Sequence, residues 1–280
     1  SMFGGYLNRA FGGEEGEIRE VLSILGDLYC LKPKEVSLPS GKREIGRLAG
    51  LVYQGKFYGR EFLIVSPVCP DYSYQTDPFT GRVEYDFKKL GRGVPLTVEA
   101  LLGKGSGIID FFRDRGLLLT YFLLMADVEA DDGDVLTTMK LEKGEFLERV
   151  VQSGEAVGKV ARKKLGNTVR VEMLSRFLSE EDGFRARNIL GVLREETIRG
   201  IAEGRAGLYS RWFDPEDSLE LNKLALRRAR MDILKYLTFG SAARRKGAVV
   251  LEATAPQIVS LYNFGNGLPL VPVFQIENKY

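Results

Sequence analysis

The sequence predicts an α/β protein with a mostly parallel sheet flanked by helices, and three observations support this prediction. Two continuous apolar runs, at residues 61–66 and 117–126, have the length and composition of buried parallel strands. The segment that joins them is long enough for the crossover connection that parallel neighbours require. Further on, segments with helical spacing of apolar residues alternate with strand-like segments, which is typical of α/β folds.

The remaining elements are predicted from apolar spacing and from turn residues. Residues 1–16 are rich in glycine and predict a flexible arm, and residues 17–280 predict a single domain. Helices are expected over residues 17–31, 145–165, 179–203 and 214–239, and strands over residues 168–174, 248–253 and 270–276. The helical segment thus spans about 179–239, and Gly240 is its expected stop.

Two stretches have special turn or strand chemistry. Pro272 predicts an edge position for the last strand, because proline cannot donate to a sheet ladder. Residues 75–95 contain turn residues around an alternating piece, and they predict either a long loop or a small hairpin.

Composition excludes several classes of function. The chain has no histidine, which excludes a Ser-His-Asp hydrolase, a Cys-His protease and a histidine-rich metal site. Its two cysteines, Cys30 and Cys69, are too few for a disulfide framework and lack metal-ligand spacing. We therefore expect a reducing, cytoplasmic setting, with no cofactor and no bound metal ion.

Charge and hydropathy limit the partners. Forty Lys and Arg residues against thirty-eight Asp and Glu residues leave a formal charge of +2, so no global field indicates nucleic acid. The longest apolar run, residues 117–126, is about half the ~20 residues that a membrane-spanning helix needs. The sequence predicts a soluble protein without a membrane partner, and it leaves the oligomeric state undetermined.

Polar side chains follow the two apolar runs at the point where each is expected to end. Ser66, Cys69, Asp71 and Tyr72 follow the first run, and Asp127 begins the acidic stretch after the second. In open α/β sheets, ligands bind in the crevice outside the carboxyl ends of the strands. This edge is therefore the candidate site, with Asp71 and Tyr72 as substrate-binding residues.

Two roles for Ser66 stay open. It is a candidate nucleophile, although without histidine it needs another activator, and it is equally a residue that caps the loop by bonding to backbone amides. Cys69 is a further substrate-binding candidate, and it is expected to be packed rather than reactive because no cation flanks it to lower its pKa.

The acidic stretch at residues 127–134 concentrates five carboxylates, which repel one another unless they are solvated, protonated or bound to a hard cation. We expect a solvated loop, because the glycine and the glutamate that a calcium-binding EF-hand requires are absent from the corresponding positions. Asp127 and Glu129 lie closest to the end of the apolar run and are the candidate catalytic carboxylates.

Two later groups of residues complete the candidate list. Glu252, Tyr262 and Asn263 are expected near the crevice as substrate-binding residues, with surface packing as the equal alternative. The end of the 145–165 helix has two interpretations, complementing the helix dipole or contacting a phosphate or RNA, and its cations are Lys159, Arg162, Lys163 and Lys164.

From about residue 60 to its end, the chain resembles the isocyanide synthases, which modify an amino acid's amine. The shared features are a Pro-x-x-Pro loop after a strand at residues 67–70, an LG-x-x-P-like element at 90–95 and an acidic segment at 126–128. A strand leading into Ala255-Pro256, followed by a proline-rich final strand, agrees in order.

The chain is also similar to the tRNA-dependent cyclodipeptide synthases. These enzymes have an apolar strand ending in a nucleophilic serine, comparable with Ser66, and a basic helix, comparable with residues 159–164. Both resemblances imply a Rossmann-like fold that acts on amino acids or aminoacyl groups.

The expected function is a group transferase that acts on an amino acid or an aminoacyl donor. One alternative is an enzyme of the cyclodipeptide-synthase type that uses aminoacyl-tRNA, in which case tRNA is a partner. The other is a non-catalytic protein that binds a small molecule or a partner.

Overall fold

A computed structural model describes residues 61–95, 118–246, 248–252, 260–263 and 273–275. The expected arm at residues 1–16, the helix at 17–31 and most of the crossover after residue 95 lie outside these ranges. Seven strands are described: β1 (Glu61–Val68), β2 (Ser73–Thr76), β3 (Val83–Asp86), β4 (Leu118–Met125), β5 (Val169–Met173), β6 (Val249–Glu252) and β7 (Val273–Gln275).

Six complete α-helices lie within the same ranges, and all six fall between β4 and β6 in the sequence; residues 93–95 are also helical. The six are α1 (Gly133–Met139), α2 (Lys143–Leu165), α3 (Leu174–Phe177), α4 (Glu180–Val192), α5 (Glu195–Phe213) and α6 (Ser218–Arg245). Short 3₁₀-helices cover Asp127–Asp131, Gly166–Thr168 and Ser260–Asn263. None of the described helices is long and apolar enough to cross a membrane.

Five strands form one sheet in the order β5-β4-β1-β6-β7, and every described pairing within it is parallel. The α/β fold class and the parallel pairing of the two apolar runs are therefore confirmed. The last strand, β7, stands at an edge of the sheet, as the sequence predicts. Helices cover the sheet, so that its strands are buried as parallel strands usually are.

The first strand is longer than expected, because it continues through Ser66 and Pro67 to Val68. The carbonyl of Val68 accepts the amide of Ala126, at the end of β4. Successive residues of a strand direct their backbone N–H and C=O groups towards opposite neighbouring strands. Because Val68 faces β4, the backbone of Pro67 faces β6. The ladder between β1 and β6 extends only from Ile64 to Val65, so the missing N–H of Pro67 breaks no described hydrogen bond.

One face of the sheet packs against the end of α6. Val65 of β1 and Leu124 of β4 share a buried cluster with Phe239 and Ala242 of that helix. Since strand side chains alternate between faces, Ser66 and Tyr121 point to the opposite face.

Helix α2 covers that opposite face. Gly154 lies directly over the sheet, where an added Cβ would be 3.5 Å from the side chain of Met125 and 3.8 Å from that of Val171. Side chains on both faces of β4 are therefore enclosed, which explains why apolar residues occupy consecutive positions in most of the strand.

The helical segment differs from the expectation in two places. The helix expected over 179–203 is two helices, α4 and α5, which are separated at Leu193 and Arg194. The helix expected over 214–239 begins later, at Ser218 with Asp217 as its N-cap, and Asp214 instead ends α5 in the left-handed conformation with φ of 45°.

Gly240 was expected to end the long helix, and this prediction is wrong, because α6 continues to Arg245. The glycine serves close packing instead. A Cβ on Gly240 would lie 2.4 Å from the carbonyl oxygen of Tyr262, so only a residue without a side chain lets that backbone approach.

Residues 75–95 contain a hairpin, one of the two structures that the sequence left open. Strands β2 and β3 pair antiparallel, with Tyr74 opposite Tyr85. The turn at the tip closes through Gly81, which has φ of 69° and donates its amide to the carbonyl of Asp77. Glycine adopts this left-handed conformation at low cost.

Candidate functional site

Ser66 lies inside β1, and its side chain is fully buried. Its hydroxyl oxygen is 2.7 Å from the hydroxyl oxygen of Tyr121, which is also fully buried. Burial raises the pKa of the Tyr121 phenol, and the hydrogen bond to Ser66 opposes that rise only in part. A phenol that stays protonated at neutral pH is not a base for Ser66, so the pair consists of two hydroxyls that satisfy each other.

Asp71 is the buried carboxylate of the loop that follows β1, and it is 2% exposed. Its amide donates to the hydroxyl oxygen of Ser153 on α2 at 2.7 Å, and its Oδ1 accepts the amide of Val94 at 3.2 Å. Its Oδ2 is buried and has no hydrogen-bond partner among the residues that the structure describes. Because a buried unpaired carboxylate oxygen is costly, Oδ2 is an acceptor that a donor group on a ligand would satisfy.

Helix α2 connects Asp71 with the hydroxyl pair. Ser153, which receives the amide of Asp71, is fully buried in the helix that covers the face of Ser66 and Tyr121. Asp71 and Ser66 are thus both held on the α2 side of the sheet, near the carboxyl end of β1.

The Tyr72 ring packs against aromatic rings of the hairpin. Its ring centroid lies 4.9 Å from that of Phe87 and 5.6 Å from that of Tyr85. Burial, and then the neighbouring Cys69 and Tyr85, raise the pKa of the Tyr72 phenol to about 12. Tyr72 therefore stays protonated at neutral pH, and its ring belongs to the aromatic contacts of the hairpin.

Cys69 is exposed, so the expectation of a packed cysteine is wrong. The reason is alternation at the strand end, since the flanking Val68 and Pro70 are both buried. The other cysteine, Cys30, lies outside the described ranges.

The acidic stretch is not a solvated loop, and this expectation is wrong. Its first half is the 3₁₀-helix Asp127–Asp131, and Asp132 then caps α1 by accepting the amides of Asp134 and Val135. Asp127 accepts both the amide of Ser175, at 2.9 Å, and the hydroxyl of that residue. Asp127 thereby joins the end of β4 to the start of α3.

Glu129 and Asp132 share one cation. The ammonium group of Lys235 lies 2.7 Å from Glu129 and also donates to Asp132. Attraction to Lys235 and hydrogen bonds from Arg228 outweigh the effect of burial, and together they lower the pKa of Asp132. Lys235 and Arg228 therefore neutralise these carboxylates. From the sequence alone, a bound hard cation was the alternative.

Arg228 is the centre of this charged network, and the sequence analysis did not identify it. Its side chain is 4% exposed and donates to Asp132 at 2.6 Å and to Asp232 at 3.1 Å. The hydroxyl of Tyr209 donates to the other oxygen of Asp232 at 2.8 Å. Burial raises the pKa of Asp232, and Arg228 and Tyr209 oppose that rise.

A signal for the network is present in the sequence. Arg228, Asp232 and Lys235 are spaced by four and three residues, which places three charged side chains on one face of α6. Charged residues on a helix face usually contact water, so this spacing alone does not indicate burial.

For the three candidates from the end of the chain, the structure describes the side chain of Tyr262 and the backbone of Glu252 and Asn263. Tyr262 is fully buried, and its ring packs against Tyr236 and Phe239 at centroid distances of 5.0 and 5.5 Å. Asn263 ends the 3₁₀-helix Ser260–Asn263, and Glu252 is the last residue of β6. Surface packing was the alternative for Tyr262, but its place is in the core.

The basic candidates on α2 are exposed. Arg162 and Lys163 follow Lys159 by three and four residues, so the three side chains share one helix face. Within the described part of the chain, no carboxylate lies within ion-pair distance of these three residues. The side chain of Lys164 lies outside the described set.

In the ranges that the structure covers, no group of three carboxylate or cysteine side chains could hold a metal ion. Comparison of the chain with family models, curated proteins and solved structures found no match. The functional argument therefore rests on the geometry of the residues.

Proposed function

We propose that the chain is a group transferase that acts on the amine of an amino acid or an aminoacyl donor, in a Rossmann-like cleft. The observation that carries this proposal is the buried Oδ2 of Asp71, which lacks a hydrogen-bond partner among the described residues. An ammonium group supplies both the missing donor and the missing positive charge.

The strand order supports a Rossmann-like fold. Counted along the chain, the five parallel strands lie in the order 3-2-1-4-5, which is the order of the first five strands of a doubly wound sheet. The order reverses between β1 and β6, and ligands bind at such a switch point. Asp71 follows β1, and Glu252 ends β6, so both belong to this edge.

The turn after β1 supports an amine rather than a nucleotide as the ligand. A dinucleotide-binding turn at this place is rich in glycine, so that backbone amides approach a pyrophosphate. Here the turn contains Cys69, Pro70 and the buried Asp71. A buried carboxylate repels phosphate and attracts a cation.

The contacts narrow the roles of the candidate residues. Asp127 and Glu129 are engaged by Ser175 and Lys235, which leaves Asp71 as the acceptor for the substrate amine. The buried, paired hydroxyl of Ser66 supports a hydrogen-bond role more than a nucleophilic one. In this proposal Asp71 holds the amine that receives or carries the transferred group, and the hydrogen bond between Ser66 and Tyr121 supports the end of β1 from which Asp71 follows.

The proposal is tested with a ligand panel on the purified chain. Each of the common amino acids is offered as the free acid, as the amide and as the N-acetyl derivative, and binding is measured by thermal shift and calorimetry. We expect the free acids or the amides to bind and the N-acetyl derivatives to fail, because acetylation removes the positive charge. Equal binding of the acetylated and free amines would contradict the proposal.

A second candidate, an enzyme of the cyclodipeptide-synthase type, is favoured by one observation. Lys159, Arg162 and Lys163 form an exposed cationic row without ion-pair partners among the described residues, as a phosphate-binding face would. If tRNA is the partner, alanine at these positions weakens tRNA binding and flattens its salt dependence, because phosphate contacts release counterions. If the row only complements the helix end, tRNA affinity is unchanged; binding titrations at two salt concentrations distinguish these outcomes.

A non-catalytic role is favoured by the burial of Ser66 and the protonated state of Tyr121. The ligand panel separates this role from catalysis. Binding that is not followed by a new covalent product, when donors and amines are incubated together and examined by mass spectrometry, would identify a binding protein.

A further inference from the structure

The segment on either side of Arg92 lies against the loop that follows β1. An added Cβ on Gly91 would collide with the carbonyl oxygen of Tyr72, so this glycine lets the two backbones meet. An added Cβ on Gly93 would lie 3.9 Å from Oδ1 of Asp71. The backbone of Arg92 is therefore held beside the candidate amine site.

Arg92 is an exposed cation next to a carboxylate that does not pair with it. Among the described residues, no carboxylate lies within ion-pair distance of its guanidinium. Oδ1 of Asp71 accepts the amide of Val94 at 3.2 Å, and Oδ2 of Asp71 is buried without a described hydrogen-bond partner. One short stretch of the structure thus holds an unpaired carboxylate oxygen and an unpaired guanidinium.

The two groups differ in depth, and the order of their charges matches an α-amino acid. Asp71 is 2% exposed, whereas Arg92 is at the surface. A ligand that satisfies both must carry a positive group for the buried position and a negative group that stays near solvent. An α-amino acid carries an ammonium and a carboxylate on the same carbon atom, so it supplies both charges within a short distance.

Arginine suits a carboxylate by its geometry and by its length. Its planar guanidinium donates two parallel hydrogen bonds to a carboxylate, and such a charged pair is stronger than neutral hydrogen bonds. A long side chain that starts beside Asp71 can reach a ligand whose ammonium binds Oδ2. An ester or an amide in the same place lacks the negative charge, so Arg92 would favour the free acid over both.

We propose that Arg92 binds the carboxylate of the ligand whose amine Asp71 binds, so that this site takes a free α-amino acid. The inference rests on the proposed function, because it uses the amine site at Asp71, and it names the substrate class of that site. An aminoacyl ester is then not the ligand at Asp71, and it enters the reaction only as the donor of the transferred group.

The first test measures whether the wild-type chain distinguishes the free acid. Each of the common amino acids is offered as the free acid, the primary amide and the methyl ester, and affinities are measured by calorimetry. At about pH 6 all three forms carry a protonated amine, but only the free acid carries a negative charge. We expect the best free acid to bind about tenfold or more tightly than its own amide and ester, because each of these loses a charge-assisted pair.

The second test compares two exposed arginines. Arg92→Gln removes the charge beside Asp71, and Arg82→Gln removes the same charge at the tip of the hairpin. We expect Arg92→Gln to bind the free acid about as weakly as the amide, with its affinity for the amide unchanged. Arg82→Gln should keep the preference of the wild type. Both side chains are exposed, so neither change should alter the thermal midpoint without ligand.

Lys89→Gln separates a specific contact from the positive charge of the surrounding surface. Lys89 is an exposed cation three residues before Arg92, and its carbonyl accepts the amide of Ser73. If Arg92 binds the carboxylate directly, Lys89→Gln should keep most of the preference for the free acid. An equal loss in both variants would contradict the direct contact.

Two further results would overturn the proposal, and each differs from a failure of the proposed function. The wild type could bind the free acid and the amide equally, or Arg92→Gln could retain the preference for the free acid. In either case a requirement for a free amine, tested with the N-acetyl derivatives, would leave the amine site at Asp71 standing. Binding of the N-acetyl derivatives as tightly as the free amines, or no binding of any amine, would reject the amine site and the role of Arg92 together.

Discussion

The hydroxyl groups of Ser66 and Tyr121 lie 2.7 Å apart, and both side chains are fully buried between β1 and β4. Removing either partner leaves a buried hydroxyl that has lost this contact, which costs about 1–3 kcal/mol. Ser66→Ala and Tyr121→Phe should therefore each lower the free energy of unfolding by that amount in urea titrations.

The double variant distinguishes a coupled pair from two independent residues. With both hydroxyls absent, neither is left unpaired, so we expect a smaller loss than the sum of the single variants. Tyr85→Phe, which removes the hydroxyl of a half-exposed hairpin tyrosine, is the control with little expected effect. Additive losses would show that the two hydroxyls do not depend on each other.

Two adjacent arginines test the buried charged network. The Arg228 side chain is 4% exposed between Asp132 and Asp232, whereas the Arg227 side chain is 56% exposed beside Asp134. Arg228→Met should cost about 3–5 kcal/mol, because the buried Asp232 loses its cation and keeps only the hydroxyl of Tyr209, and Asp132 loses one of its two cations. Arg227→Met should cost less than about 1 kcal/mol, since an exposed ion pair contributes little.

Chemical denaturation of both arginine variants measures these differences. Adding Asp232→Asn to Arg228→Met should recover part of the lost stability, because the carboxylate that has lost its cation is then removed. Equal costs for the two arginines would mean that the network is not a buried unit.

Asp182 predicts a dependence of stability on pH. Burial tends to raise the pKa of its carboxyl, but hydrogen bonds from Arg245, Ser179 and Ser241 outweigh burial and lower it below the ordinary value of 3.8. The folded state therefore holds the proton less tightly than the unfolded state. Its stabilising contribution is present above pH 3.8 and is lost as the pH falls through the lowered pKa.

Urea titrations of the wild type and Asp182→Asn test this dependence. At pH 7 the variant should be less stable by about 1–3 kcal/mol, since charged hydrogen bonds to Asp182 are weakened. As the pH falls below 3.8 and through the lowered pKa, the difference should shrink, because the wild-type carboxyl becomes protonated. Glu181→Gln, which removes an exposed carboxylate on the same helix, should show no such trend. A constant difference at all pH values would contradict the assignment.

The elements that the sequence predicts well are those with a continuous local signal. The runs that became β1 and β4 are apolar at consecutive positions, and Pro272 indicates the edge position of β7. These features depend on neighbours in the sequence, so a single chain is sufficient to recognise them.

The misplaced features depend on contacts between distant residues. Glycine often ends a helix, so the sequence predicts a stop at Gly240. Its role in the structure is instead to let the backbone of Tyr262 approach α6 closely. The acids of the 127–134 stretch resemble a solvated loop until α6 brings Arg228 and Lys235 to them. The exposure of Cys69 likewise follows from the burial of its neighbours after β1 ends.

The position of Asp71 just after β1 was predictable from the sequence, whereas the functional role of this edge of the sheet stays a prediction. The hydrogen-bond partners of the individual residues at this edge were not predictable from the sequence. The hydrogen bonds of Asp71 are made with Ser153, which is 82 residues away in sequence, and with Val94 across the base of the hairpin. Sequence spacing has no information about either contact.

The ligand role of Asp71 is the central claim, and one titration tests it most directly. Calorimetry measures the affinity of wild type, Asp71→Asn and Glu84→Gln for the best amine of the ligand panel. Asp71→Asn preserves the shape and the acceptor for Val94 but removes the buried negative charge, so the chain should fold with equal or greater stability. We expect it to lose about tenfold or more in affinity, because a charge-assisted hydrogen bond is lost, while Glu84→Gln binds as the wild type does. An Asp71→Asn variant that binds the amine as tightly as the wild type would contradict the account.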